Sequence, residues 1–242
     1  MSASLKGFFL LVDMQTAPPI CEIPGRIARI KEQIGSIAVN AGRDPEAINL
    51  MAVSKYRPAQ AVREALSCGH RLFGENRVQE AAQKYPELKA NHPELTIHLI
   101  GPLQTNKVRE AVNLFDVIET LDRPKLAQAL AKERDRVGRC PEVFIQINTG
   151  QEPQKSGIDP LMADEFIEKV REEFQLPLTG LMCIPPANEE PAMHFALLAE
   201  CARRHGITKL SMGMSADFDK AICLGATEIR LGTSIFGPRP VR

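Results

Sequence analysis

Lys55 closes an apolar run, Leu50-Met51-Ala52-Val53-Ser54, and a primary amine in that position is suited to Schiff-base chemistry. A lysine partly desolvated there has its neutral amine favoured, which condensation with an aldehyde requires. A solvated lysine in a loop is the plain alternative. Two further segments are suited to an anion: Gly232-Thr233, and Ser215 just ahead of a helix expected near Asp217. Backbone N–H groups, a hydroxyl and a helix N-terminus together bind phosphate, although turn glycines and a capping serine have the same appearance. Arg230 precedes Gly232 by two residues and so shares its face of an extended strand. Ile229 and Leu231 take the opposite face, which directs the guanidinium inward. There it needs an acceptor, either a carboxylate such as Glu228 or a ligand atom. His98, between Ile97 and Leu99, reads as a satisfied core residue. The segment Gln154-Lys155-Ser156-Gly157 reads as a flexible lid or as an ordinary solvated loop.

These residues need a scaffold, and the sequence pattern supplies one. Short β-branched runs alternate with amphipathic helical patterns from Gly25 onward. Strands are expected at 48–53, 71–73, 96–100, 116–119, 143–148, 178–183, 209–212 and 228–231. Helices are expected at 25–41, 59–68, 78–85, 106–114, 124–136, 160–174, 192–205 and 217–224. Several strands are apolar on both faces, as in a sheet covered on both sides. Eight β units, seven intervening helices and one extra N-terminal helix suggest a single α/β domain, a closed (β/α)8 barrel of the TIM type over 25–242. An open doubly wound sheet is the competitor, but no G-x-G-x-x-G follows the first strand. In a barrel, chemistry gathers at the C-terminal ends of the strands. Those ends carry Lys55, Gly74-Glu75-Asn76, Gly101-Pro102, Asn148-Thr149, Ile184-Pro185, Gly213-Met214-Ser215 and Gly232-Thr233.

Composition narrows the function class. Lys plus Arg and Asp plus Glu are 30 each, so net charge points to neither nucleic acid nor a membrane surface. The six cysteines form no C-x-x-C pair and read as buried apolar residues of a cytoplasmic protein. The five histidines show no metal-ligand spacing, and no metal is expected. Residues 1–24 read as a variable, loosely ordered extension. Their apolar stretch, Phe8–Val12, is too short for a signal-peptide core or a membrane span.

Taken together, AVSKYRP (52–58), FGENRVQE (73–80), HLIGPLQTNK (98–107), IQIN (145–148), KSGI (155–158), GLMCIP (180–185), LSMGMSAD (210–217) and RLGTSIFG (230–237) resemble the pyridoxal phosphate homeostasis protein family. The departures are Tyr56-Arg57 where Thr-Lys is common, Ala216 where Asp is common, and the unmatched first 24 residues. The resemblance implies a fold-type III barrel like the N-terminal domain of alanine racemase, without its second domain, and pyridoxal 5′-phosphate (PLP) as cofactor. It further implies a reversible internal aldimine on Lys55, phosphate held by Ser215, Gly232 and Thr233, Arg230 facing the pyridine nitrogen, and Asn76 beside the ring. An arginine at that nitrogen disfavours the pyridinium and weakens the ring as an electron sink. A role in cytoplasmic PLP homeostasis without catalysis is therefore expected, for a monomer that passes PLP to apo-enzymes. A small amino-acid racemase is the alternative, and an aldolase-like barrel a more distant one.

Overall fold

The computed structural model describes residues 22–238. Its first element, α1 (Glu22–Asn40), buries Ile23, Ile27, Ile30, Ile34 and Ala38 along one stripe, the spacing of an amphipathic helix. The helix begins three residues ahead of the sequence expectation. Pro24 does not break it, because a first-turn N–H has no intrahelical partner to lose. Residues 22–24 thus belong to the helix, and the rest of the expected extension lies outside the described residues.

From there, strands and helices alternate: β1 (Asn49–Val53), α2 (Ala59–Ser67), β2 (Leu72–Glu75), α3 (Val78–Asn91), β3 (Thr96–Leu99), α4 (Val108–Leu114), β4 (Val117–Leu121) and α5 (Pro124–Val137). The second half continues with β5 (Glu142–Ile147), α6 (Ala163–Glu172), β6 (Leu178–Cys183), α7 (Pro191–Arg204), β7 (Lys209–Ser211), α8 (Phe218–Cys223), β8 (Glu228–Leu231) and α9 (Thr233–Phe236). All neighbouring strands pair in parallel, and β8 pairs back onto β1, closing an eight-stranded barrel. Only four residues form α9, and α1 packs against both α2 and α8. The N-terminal helix thereby fills the place in the outer ring that a full helix after β8 would occupy.

Two apolar regions hold this together. The larger lies between the strands' outward residues and the helices; the smaller, Val117, Phe144 and Met182, sits inside the barrel. Interior space is shared between large and small residues on adjacent strands. A Cβ on Gly180 would lie 2.7 Å from the Phe144 ring, and one on Gly74 would lie 2.6 Å from Met51 Sδ.

Several local expectations change. The helix expected to stop at Tyr85 runs through Pro86 to Asn91, because buried Tyr85 and Leu88 anchor it on either side despite the hydrogen bond a proline forfeits. The described cysteines are not uniformly buried: Cys183 and Cys201 are, Cys140 is half-buried, and Cys68 and Cys223 are exposed at helix ends, while Cys21 lies outside the described residues. The segment 154–157, read as a lid or as a solvated loop, is tied down at its C-terminal end. Ile158 exchanges backbone hydrogen bonds with Gln146 and Asn148, and Gln146 Nε2 donates to the Ser156 carbonyl.

Candidate functional site at the barrel mouth

Beyond Val53 the chain leaves β1 through buried Ser54 and half-buried Lys55. Val53 is in register with Gly74, so Lys55 and Asn76 occupy equivalent positions past the ends of β1 and β2. Asn76 is held closely from below. A Cβ on Gly101 would lie 2.2 Å from the Asn76 carbonyl oxygen, so only glycine lets β3's exit pass that close. The Asn76 side-chain oxygen is buried and has no hydrogen-bond partner among the described residues. An orphaned acceptor of that kind costs free energy unless a ligand or water donates to it.

On the other side of Lys55, β8 runs beside β1, with Met51 opposite Arg230 and Ala52 opposite Leu231. Gly232 comes so close that a Cβ there would sit 3.3 Å from the Val53 carbonyl. The chain then enters α9, with exposed Thr233 in its first turn. Ser234 Oγ donates to Ser215 Oγ at 2.9 Å, which joins the loops after β7 and β8. Ser215 itself is exposed; Asp217, not Ser215, stands at the N-cap position of α8, and its side chain turns back to accept from the Met214 N–H at 2.6 Å. Lys55, Asn76, Gly232, Thr233 and Ser215 are thus brought to one end of the barrel.

Arg230 points into the barrel, as strand alternation predicts, and its acceptors among the described residues do not include Glu228. Nη1 donates to Ser211 Oγ at 2.7 Å and Nη2 to the Cys183 carbonyl at 2.8 Å. Ser211 Oγ donates onward to Glu119. Glu228 pairs instead with His98, whose Nδ1 lies 2.7 Å from Glu119 Oε1 and 3.3 Å from Glu228 Oε2. Burial works against charge on His98, but the hydrogen bond to Glu119 and the nearby carboxylates of Glu119 and Glu228 outweigh it and raise its pKa to about 9. His98 is therefore a core residue tied to Glu119 through Nδ1 and held as an imidazolium at neutral pH. Desolvation pushes Glu228 up, whereas the hydrogen bond and charge of His98 overcome desolvation at Glu119 and hold it down. Ligand atoms of His98, Glu119 and Glu228 lie within 4.8 Å of one another. With two cationic and two acidic side chains, the layer already balances its own charge. Glu119 escaped the sequence reading; the available signal was an acid isolated within the strand Val117-Ile118-Glu119-Thr120-Leu121, whose other residues are apolar or threonine.

Residues 27–240 match the family model for the alanine racemase N-terminal domain. The pyridoxal phosphate homeostasis protein of Pseudomonas aeruginosa is 44% identical over 223 residues, which span 90% of this chain and 96% of that protein. This chain belongs to the pyridoxal phosphate homeostasis protein family. A solved relative, PipY of Synechococcus elongatus PCC7942 with PLP bound, is 38% identical, with a TM-score of 0.77 over 89% of this chain and 100% of PipY. Alanine racemase of Clostridium difficile 630, at 19% identity, shares the fold alone: TM-score 0.65 over 88% of this chain and 57% of the enzyme. Family membership and barrel geometry thus agree on the architecture expected from the sequence.

Proposed function

We propose that this chain binds PLP at the barrel mouth and keeps it in reversible reserve, as a homeostasis protein and not as an enzyme. The observation that carries the reading is the convergence of Lys55 with the joined Ser215 and Gly232-Thr233 loops at one strand end. The PLP-bound state of PipY supports the choice of ligand. PLP supplies an aldehyde that condenses reversibly with a lysine amine, releasing water. Lys55 is the amine at hand. Ser215 and Thr233 bring hydroxyls to the phosphate, and Gly232 leaves its backbone approachable. The orphaned Asn76 oxygen fits a polar ligand beside it.

Arg230 is the residue assigned to the pyridine nitrogen. A guanidinium has no accepting atom, so it donates to that nitrogen and leaves it unprotonated. Such a ring withdraws electrons poorly from a substrate carbanion. Tyr85 offers no second base: its hydroxyl lies 2.6 Å from Ser54 Oγ in the core, and burial together with the Glu75 charge pushes its pKa well above the ordinary tyrosine value. The same proposal has the protein acting in the cytoplasm as a monomer and passing PLP to apo-enzymes. Among the described residues no helix is long and apolar enough to cross a membrane.

The test is a PLP titration of the purified protein with racemisation and transamination assays alongside. A saturable visible absorption band without turnover is expected. Sustained amino-acid racemisation that disappears in Lys55→Ala would overturn the non-catalytic reading.

A further inference from the structure

Lys55 is presented by a turn that its own sequence does not favour. The Arg57 N–H donates to the Ser54 carbonyl at 3.0 Å, closing the four-residue turn 54–57, and Tyr56 within it has φ of 62°. Turns that need positive φ at this third position normally place glycine or asparagine there. A tyrosine costs about 1 kcal/mol or more. Such backbone persists only where its surroundings hold it.

What holds it is a buried network reaching down from α3. Lys84, with a side chain only 6% exposed, donates to three oxygens: the Ser54 carbonyl at 2.9 Å, Glu75 Oε1 at 2.7 Å and Glu80 Oε1 at 3.0 Å. Three donors are all an ammonium has. Glu80 Oε1 also accepts the Tyr56 N–H at 2.6 Å. Ser54 Oγ donates to Glu75 Oε1 at 2.7 Å. The residue before Lys55 is gripped at its carbonyl and hydroxyl, and the residue after it at its amide. Stability alone does not account for this arrangement, since desolvation offsets most of the gain from a buried ion pair and apolar side chains would fill the space as well. Apolar side chains would not fix the backbone on both sides of one lysine.

We propose that Lys84 and Glu80 are positioning residues for Lys55, holding the strained 54–57 turn so that the lysine amine meets an aldehyde in one orientation. The inference rests on Lys55 as the PLP attachment point. Attachment forms one carbon–nitrogen double bond between Nζ and the aldehyde carbon and releases the aldehyde oxygen as water, so no oxidant or reductant is consumed.

Two readouts test the proposal in full-length wild type, Glu80→Ala, Glu80→Gln and Lys84→Met. The first is hydrogen exchange at the Tyr56 amide of the apo-protein. The second is the rate at which visible absorption appears on mixing with PLP. Glu80→Ala and Lys84→Met are expected to lose Tyr56 protection. Attachment in both should slow about ten- to hundredfold, the effect of misplacing a reacting group by roughly 1 Å. Glu80→Gln still offers an amide oxygen to Tyr56 and should stay within about threefold of wild type. Lys84→Met conserves volume in the core. Should it fail to fold, the Glu80 pair, whose side chain is 23% exposed, carries the comparison. Attachment at the wild-type rate in Glu80→Ala, or unchanged Tyr56 protection there, would overturn the proposal. An equal loss of rate in Glu80→Gln would also overturn it, by assigning the effect to charge and not to the grip. Peptide mapping of wild-type protein separates the failures, because attachment at another lysine refutes the site before any variant is compared.

Discussion

Raising the pH from 6.5 to 9 should loosen the barrel from within. His98 gains its proton affinity from Glu119 and Glu228, and its pKa rises from 6.5 to about 9 on folding. A folded-state pKa above the unfolded one contributes stability that is complete below pH 6.5 and is lost as the pH rises through 9. At about 1.4 kcal/mol per pH unit, the loss amounts to about 3 kcal/mol. His70 acts with the opposite sign: burial lowers it to about 4. The unfolded chain therefore takes up that proton first, and stability falls as pH drops from 6.5 toward 4. Glu228, raised by desolvation, works against His70 on the acid side, so the alkaline limb isolates His98 better. Urea denaturation of the apo-protein between pH 6.5 and 9 should show the decline, and His98→Gln should flatten it. An NMR titration of the His98 ring reads the midpoint directly. Undiminished stability at pH 9, or an equal slope in His98→Gln, would refute the ion-paired imidazolium.

Other expectations test the mouth and the core. Gly101→Ala places a Cβ 2.2 Å from the Asn76 carbonyl oxygen and should cost about 3 kcal/mol or more, read by thermal melting; a wild-type melting temperature would contradict the close approach. Ser215→Ala should weaken PLP binding about tenfold in equilibrium dialysis, the loss of one hydrogen bond to a charged group, while leaving the apo-protein's melting temperature in place. Unchanged affinity would remove Ser215 from the phosphate site. Maleimide labelling followed by mass spectrometry should modify exposed Cys68 and Cys223 and spare Cys183, whose thiol burial pushes up to about 12. Rapid modification of Cys183 in native protein would show that the barrel opens.

The fold was legible because its signals are local. Leu178–Cys183 and Glu228–Leu231 are strands over the residues that composition marks, and alternation within β8 placed Arg230 inward. Elements governed by tertiary contacts were less visible. The continuation of α3 past Pro86 depends on what Tyr85 and Leu88 pack against, and the four residues of α9 are too few for any periodic pattern. The site followed the same division. Strand ends named Lys55, Ser215, Gly232 and Thr233, since each stands just past a strand-like run. Partnerships across the barrel did not show, because Glu119 meets His98 from 21 residues away and Ser211 from 92. Lys84 was hidden for another reason: a lysine on an amphipathic helix looks solvated until its acceptors just past β1 and on β2 are seen.

Attachment chemistry at Lys55 tests the central claim most directly. Wild-type protein incubated with PLP, reduced with borohydride and digested should carry its single fixed adduct on the peptide containing Lys55. Lys55→Ala should lose both the adduct and the visible absorption band while still unfolding cooperatively. An adduct mapped to another lysine, or an undiminished band in Lys55→Ala, would contradict the site built here from strand ends.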